Sequence, residues 1–231
     1  MPPRPNSSRK PARISNISVA VALFTPRDGA LAVLLVPSAR PTRPKDRWSL
    51  PADTLLADET LDDAASRIAR AVLGATPSLL DQASANAQHR TAGEQGRLTV
   101  TYFGLAPDSG SGPSSDASWI PTNDVESHSA RMLDDIENAI GAMRARVDLQ
   151  PIAFKLLPPS FTLSELQSVY ELLLGRRLHK ASFRRSLHAS ALVEATDEWR
   201  SEGRGRPAQL FRYSPPRRRR RRRGIRFDLL G

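Results

Sequence analysis

A capped apolar helix, a short basic turn and a second helix carrying paired arginines leave residues 161–213 few folds to choose from. Two strand-like runs follow at once, enclosing Gly203-Arg204-Gly205-Arg206. Thr162 with Glu165 three residues on is a capping box, in which each residue satisfies the other's orphan backbone donor. Leu166, Val169, Tyr170 and Leu173 recur at helical spacing, and Gly175 stops the helix. The turn from Arg176 to Lys180 leads into a helical run over 181–190. At about 100° per residue, Phe183 and Leu187 point to one side. Ala181, Arg184, Arg185 and His188 point to the other. One face is therefore core and the opposite face cationic. A strand starts at Leu192 and another returns over 209–213, and the glycines between them permit close backbone approach to a partner.

Helix, tight turn, helix and hairpin make a winged helix-turn-helix. The charge distribution points the same way. The chain carries +10 overall, yet residues 1–150 hold sixteen Lys/Arg against seventeen Asp/Glu, and residues 151–231 hold eighteen against seven. All of the excess lies in the last third, as expected for a neutral module joined to one that binds a polyanion. The unbroken arginine run 217–223 is low-complexity and has nothing to pack with. It reads as salt-sensitive phosphate attraction without sequence readout.

Residues 1–13 read as a disordered basic arm with no apolar stretch behind it, and 215–231 as a disordered Arg-rich tail. The absence of cysteine excludes disulfides and thiolate metal sites and is compatible with the cytosol, so a cytoplasmic protein is expected. No apolar run approaches the ~18 residues that a bilayer requires, so no membrane is expected. The four histidines are scattered without metal-ligand spacing, and there is no nucleophile elbow or phosphate-binding glycine loop. No metal, no cofactor and no catalytic residue are expected.

Upstream, strands are expected over 14–24 and 31–36 around the turn Arg27-Asp28-Gly29, and another over 98–105. Residues 60–73 form an amphipathic helix with Leu61, Ala64, Ala65, Ile68 and Val72 on one face. Thr60 caps it, Asp62 and Asp63 meet the positive end of its dipole, and Gly74 stops it. A Ser/Gly/Pro-rich loop, read as mobile, covers 107–118. A helix over 132–147 presents Met132, Ile136, Ile140 and Met143, and Pro151 marks a boundary. The expected class is α/β (α+β), with units over 14–148 and 151–214.

Residues 48–75 resemble a degenerate Nudix box. Glu59, Arg67 and Gly74 keep the family's spacing behind Leu50-Pro51. Asp53 stands at the first glycine of that pattern, Ile68, Ala71 and Val72 at its helical glutamates, and Ala75 at its last apolar site. Those glutamates hold magnesium in the family, and aliphatic side chains cannot replace them. The resemblance implies an α/β/α sandwich and speaks against hydrolysis. The residues alone also admit a plain amphipathic core helix with Glu59 and Arg67 as an ion pair.

Residues 154–213 resemble the DNA-binding domain of the Nudix-related transcriptional regulator (NrtR) family. The matching stretches are Phe161-Thr162-Leu163-Ser164-Glu165, Tyr170-Glu171, Phe183-Arg184-Arg185 and Gly203-Arg204-Gly205-Arg206-Pro207-Ala208-Gln209. The implied architecture is a Nudix-like sandwich followed by a winged helix. The implied protein is a homodimeric repressor or activator of NAD-metabolism or sugar-catabolism genes, binding a double-stranded operator and responding to ADP-ribose or a related nucleotide. Arg184 and Arg185 are the expected base readers, with Lys180, Ser182 and His188 beside them. Arg204, Arg206 and Gln209 belong to the wing, and Thr162 and Ser164 face a phosphate at a helix N-terminus. For the effector, Arg40, Arg47, Trp48, Glu59 and Arg67 are the candidates; each also reads as an ordinary framework residue. Two other functions stay open. One is a divergent hydrolase of ADP-ribose-like diphosphates using Asp53, Asp58, Asp62 and Asp63. The other is a non-specific binder driven by the arginine tail.

Overall fold

A computed structural model describes residues 13–39, 41, 43–88, 96–107, 116–127, 129–201 and 207–215. Arg40, Arg204, Arg206, the arm before Arg13, most of the Ser/Gly/Pro-rich loop and the arginine run lie outside them.

Strand β1 (Arg13–Arg27) is the spine of the first unit. It turns through Asp28 and Gly29, both at positive φ, into the antiparallel strand β2 (Ala30–Pro37). Two successive left-handed residues match the twist of a tight hairpin, so glycine is well placed there. Strands β3 (Trp48–Ser49), β4 (Ala52–Leu56) and β5 (Leu79–Gln88) follow along the chain, then β6 (Arg97–Leu105) and β7 (Ser118–Pro121). β6 lies parallel to β1, with Val19 opposite Val100 and Val21 opposite Tyr102. β4 pairs with β1, β3 and β7 with β2, and β5 with β6.

The alternation of β1 sorts two cores. Val19, Val21 and Leu23 share one cluster with Ala64, Ala65, Ile68 and Ala69 of helix α1 (Leu61–Leu73). Ala20, Ala22 and Phe24 share the other with Met132, Ile136, Ala139, Met143 and Val147 of helix α2 (Ala130–Leu149). A period of two on the strand thus builds a helix layer on each side of the sheet. Thr60 and Asp63 form a capping box on α1, and Gly74 ends it at φ 68°. Arg146 on α2 bonds Asp81 on β5 at 2.5 Å and ties that helix to the sheet.

A 3-10 turn (Ile152–Leu156) leads into β8 (Ser160–Phe161), α3 (Leu163–Leu174), α4 (Lys180–Ser190), β9 (Val193–Arg200) and β10 (Ala208–Tyr213). β10 lies between β8 and β9 in a small antiparallel sheet. Phe154 stacks within 5.7 Å of Phe161 and 4.6 Å of Tyr213, and Tyr170 meets Phe183 edge-on at 5.7 Å. The buried cluster does not stop at Pro151. Met143 and Val147 belong to the same apolar body as Phe154, Leu166, Val169, Leu173 and Leu187.

Five strands carry no clear mark in the sequence: β3, β4, β5, β7 and β8. β5 (Leu-Leu-Asp-Gln-Ala-Ser-Ala-Asn-Ala-Gln) lacks the β-branched and aromatic residues that mark a strand. Pairing with β6 imposes its conformation at the sheet edge.

Candidate nucleic-acid interface and effector pocket

The entrance to α3 is built by reciprocal bonds. Thr162 N donates to Glu165 Oε2 at 2.6 Å, and Glu165 N donates to Thr162 Oγ1 at 3.1 Å. The other oxygen of Glu165 receives Arg200 Nη1 at 2.6 Å, while Arg200 Nη2 donates to Ser160 O. One carboxylate therefore caps α3 and pins the wing strand β9 across β10. This corrects the expectation for Thr162. Its side chain is buried and spent on the cap, so the exposed hydroxyl in the first turn is that of Ser164.

The turn before α4 hangs on Glu171. Its Oε1 accepts from Leu178 N and Gln167 Nε2, both at 2.9 Å, and its Oε2 accepts from Arg177 Nη1 at 3.0 Å. Burial by itself would raise this carboxyl. The three donors outweigh it and hold the group below the usual carboxylate range. Gln167 Nε2 also donates to Leu178 O. The turn is thus tied to α3 on both of Leu178's backbone groups.

On α4, Phe183 and Leu187 are fully buried, while Lys180, Ala181, Arg184, Arg185 and His188 are exposed. Among the described residues neither Arg184 nor Arg185 has an ion-pair partner. Ser182 Oγ is half-buried and lies 3.3 Å from His179 Nδ1, at the start of the helix. Gln209 Nε2 donates to Thr196 O and holds β10 to β9. Trp199, which the sequence reading passed over, is 58% exposed at the end of β9 leading to the wing loop.

In the first unit, the box residues face one another. Arg67 Nη2 and Nε donate to Glu59 at 2.6 and 3.0 Å, Nη1 to Asp53 Oδ2 at 2.8 Å, and Nη2 also to Thr54 O at 3.2 Å. Glu59 Oε1 further accepts Leu56 N. The Arg67 hydrogen bond holds the Glu59 carboxyl below its ordinary range, against the opposing effect of burial. Asp53, standing in the box glycine's place, completes the ion cluster. This corrects the grouping of Glu59 and Arg67 with Trp48, because their polar atoms are consumed within the cluster.

Trp48 instead lines a separate cavity of about 250 Å³ with Leu50, Arg97, Thr99, Arg131 and Asp135. Arg131 Nη2 donates to Thr99 Oγ1 at 3.0 Å. Burial pushes the Asp135 carboxyl up, against the pull of Arg131. Arg47 is exposed and adjoins the cavity through its neighbours Asp46 and Trp48. Arg97, Arg131 and Asp135 were not legible as site residues. They come from β6 and α2, and only the sheet brings them beside Trp48.

The residues do not fit a magnesium ion of the Nudix kind. Ile68 faces the core, and Ala71 and Val72 carry no donor. Of the nearby carboxylates, Asp53 and Glu59 hold Arg67, Asp63 caps α1, and Asp62 accepts from Tyr102 Oη at 2.5 Å. An octahedral oxygen shell needs several carboxylates free to converge on one ion. Here each is engaged by another partner, and among the described residues no three His, Cys, Asp or Glu side chains are grouped to hold a metal.

Comparison with known proteins agrees with this architecture. A model of the NrtR DNA-binding winged helix domain matches residues 153–213. The ADPR responsive transcriptional repressor NtrR of Acinetobacter baylyi is 29% identical over 211 residues, covering 86% of this chain and 82% of that protein. The solved structure of Shewanella oneidensis NrtR complexed with a 27mer DNA is 30% identical. It covers 86% of this chain and 93% of its own, with a TM-score of 0.71. A MutT/nudix family protein from Enterococcus faecalis, 14% identical with a TM-score of 0.62, covers 92% of this chain and 90% of its own and shares the fold. A Nudix-like sandwich followed by a winged helix, matched over nearly the whole length of the Shewanella protein, makes this chain a member of the NrtR family of transcriptional regulators.

Proposed function

We propose that this chain is a repressor of NAD-metabolism genes that binds a double-stranded operator as a homodimer and is released by ADP-ribose or a closely related nucleotide. The observation that carries the reading is the exposed cationic face of α4, with Lys180, Arg184, Arg185 and His188 opposite the buried Phe183 and Leu187. A helix anchored on one side and cationic on the other suits entry into the major groove. Arg184 and Arg185 read guanine edges or grip phosphates, Ser164 meets a backbone phosphate, and Arg204 and Arg206 extend the contact along the wing.

The name of the Acinetobacter relative supports ADP-ribose as effector. So does the chemistry of the cavity, where the Trp48 indole offers a stacking surface and Arg97 and Arg131 offer guanidiniums to a diphosphate. With the box glutamates replaced, the nucleotide is bound and not cleaved. It acts by favouring a dimer arrangement whose two winged helices no longer match adjacent half-sites.

The test uses duplexes selected from a random pool by the full chain and read by fluorescence anisotropy. The wild type should prefer a two-fold symmetric sequence, and ADP-ribose should weaken that binding. Replacing Arg184 and Arg185 together by alanine should abolish the preference. A double variant that keeps it would overturn the assignment of α4. Phosphate-bond cleavage of ADP-ribose with added Mg²⁺ would overturn the non-catalytic reading.

A further inference from the structure

Helix α2 is held on two sides by arginines two residues apart, which point roughly opposite ways around a helix. Arg146 grips Asp81 on the first unit's sheet. Arg144 reaches the other way, to the C-terminal end of α3, where its Nε donates to Leu173 O at 3.3 Å. Its guanidinium lies across Gly175. A Cβ there would collide with Arg144 Nη2 and come within 3.1 Å of Cζ. Gly175 also ends α3 in the left-handed region, at φ 68°. The backbone here favours glycine, and a Cβ would have to push the arginine aside.

The contact suits its location. The last carbonyls of a helix lack intrahelical partners and carry the negative end of its dipole, so a cation placed there is stabilised. A cavity of about 580 Å³ opens beside the contact, lined by Leu31, Ile140, Leu172 and Arg177 among others. Arg144 and Gly175 both line it, so their contact lies at the edge of an opening and not within close packing. Beyond it the connection is stiff. Glu171 and Gln167, in the last turns of α3, bond both backbone groups of Leu178, two residues before α4 begins.

The geometry points to Arg144 as a positioning residue for DNA binding, the side chain through which the effector-binding unit sets the placement of the recognition helix. The sequence of contacts is the sheet, Asp81–Arg146, α2, Arg144–Leu173/Gly175, the Glu171–Leu178 tie and then α4. This inference rests on the regulator reading above, and it assigns part of the coupling between effector and operator to one polar contact between the units.

The test uses the full chain with Arg144→Ala, Arg144→Lys and Gly175→Ala, and the duplex selected by the wild type. Arg144→Ala should weaken duplex binding about fivefold, the scale of one charge-assisted bond at a partly exposed site. It should shrink the factor by which ADP-ribose weakens that binding, and leave the affinity of the DNA-free protein for ADP-ribose unchanged. Amide hydrogen exchange should quicken from Gly175 to Lys180 and stay the same in β6. Arg144→Lys should recover part of the loss, since the charge remains at the helix end. Gly175→Ala displaces the arginine from the other side, so the double variant should fall no further than the worse single one. Wild-type duplex affinity, ADP-ribose response and exchange rates in Arg144→Ala would overturn the inference while leaving the regulator reading intact. Absence of any duplex preference in the wild type would strike the regulator reading and this inference's DNA arm together. The exchange rates would then still decide whether Arg144 holds the turn.

Discussion

Replacing Arg67 by alanine removes the centre of a cluster in which four hydrogen bonds tie α1 to Asp53, Thr54 and Glu59. The side chains are neither free on the surface nor sealed in the core, with Arg67 34%, Asp53 31% and Glu59 12% exposed. Breaking a fully buried pair costs about 3–5 kcal/mol, and an exposed pair is worth under about 1 kcal/mol. The partial exposure of Arg67 sets the expected loss between them, at about 2 kcal/mol. Urea denaturation should show a lower midpoint with an unchanged slope. The difference between wild type and variant should also depend on pH. Glu59 titrates below its ordinary value of 4.5 in the folded chain, chiefly through the Arg67 hydrogen bond. Its contribution is therefore complete above that value and disappears as the pH falls through the lowered pKa. The two proteins should converge in stability on acidification. ADP-ribose affinity at neutral pH should be unaffected, because Arg67 does not line the cavity beneath Trp48. A variant with the wild-type midpoint and a lost effector response would refute the reasoning and return Arg67 to the ligand site.

Three further outcomes are expected. Arg184→Ala and Arg185→Ala, made singly, should each reduce the slope of log affinity against log salt by up to ~0.9 wherever the lost contact is to a phosphate; titrations at several salt concentrations check this. Thr162→Ala should lower stability by about 1 kcal/mol through loss of the α3 cap, whereas Ser164→Ala should leave the urea midpoint in place and weaken duplex binding. Arg131→Ala should raise the dissociation constant for ADP-ribose in calorimetry and leave DNA binding without effector unchanged.

What the sequence disclosed is local chemistry. The caps at Thr60 and Thr162 and the stops at Gly74 and Gly175 are patterns within a few residues, and all four occur as expected, with Asp63 adding a box at Thr60 that was not. The two faces of α4 follow from a helical period with large residues on one side. The pattern did not give the direction of Thr162, because a cap can serve its own helix or a ligand, nor did it part Glu59 and Arg67, spent on each other and on Asp53, from Trp48. Legibility ended where the fold joins distant segments. Trp48, Arg97, Arg131 and Asp135 meet only after the sheet is assembled. The Arg200–Glu165 bridge spans a strand crossing, and Arg144 meets a backbone carbonyl, which carries no side-chain signature. β5 is a strand by virtue of its neighbour, against its own composition.

The apolar cluster that passes through Pro151 limits how this protein can evolve. Phe154, Leu166, Val169 and Leu173 share their burial with Met143 and Val147 of α2. Cutting the chain at the linker would expose apolar surface on both halves, so a recombined reader would need a compensating patch on its new host. Diversification toward other operators should therefore proceed by substitution on the outer face of α4, where Lys180, Arg184, Arg185 and His188 are exposed and carry none of the packing.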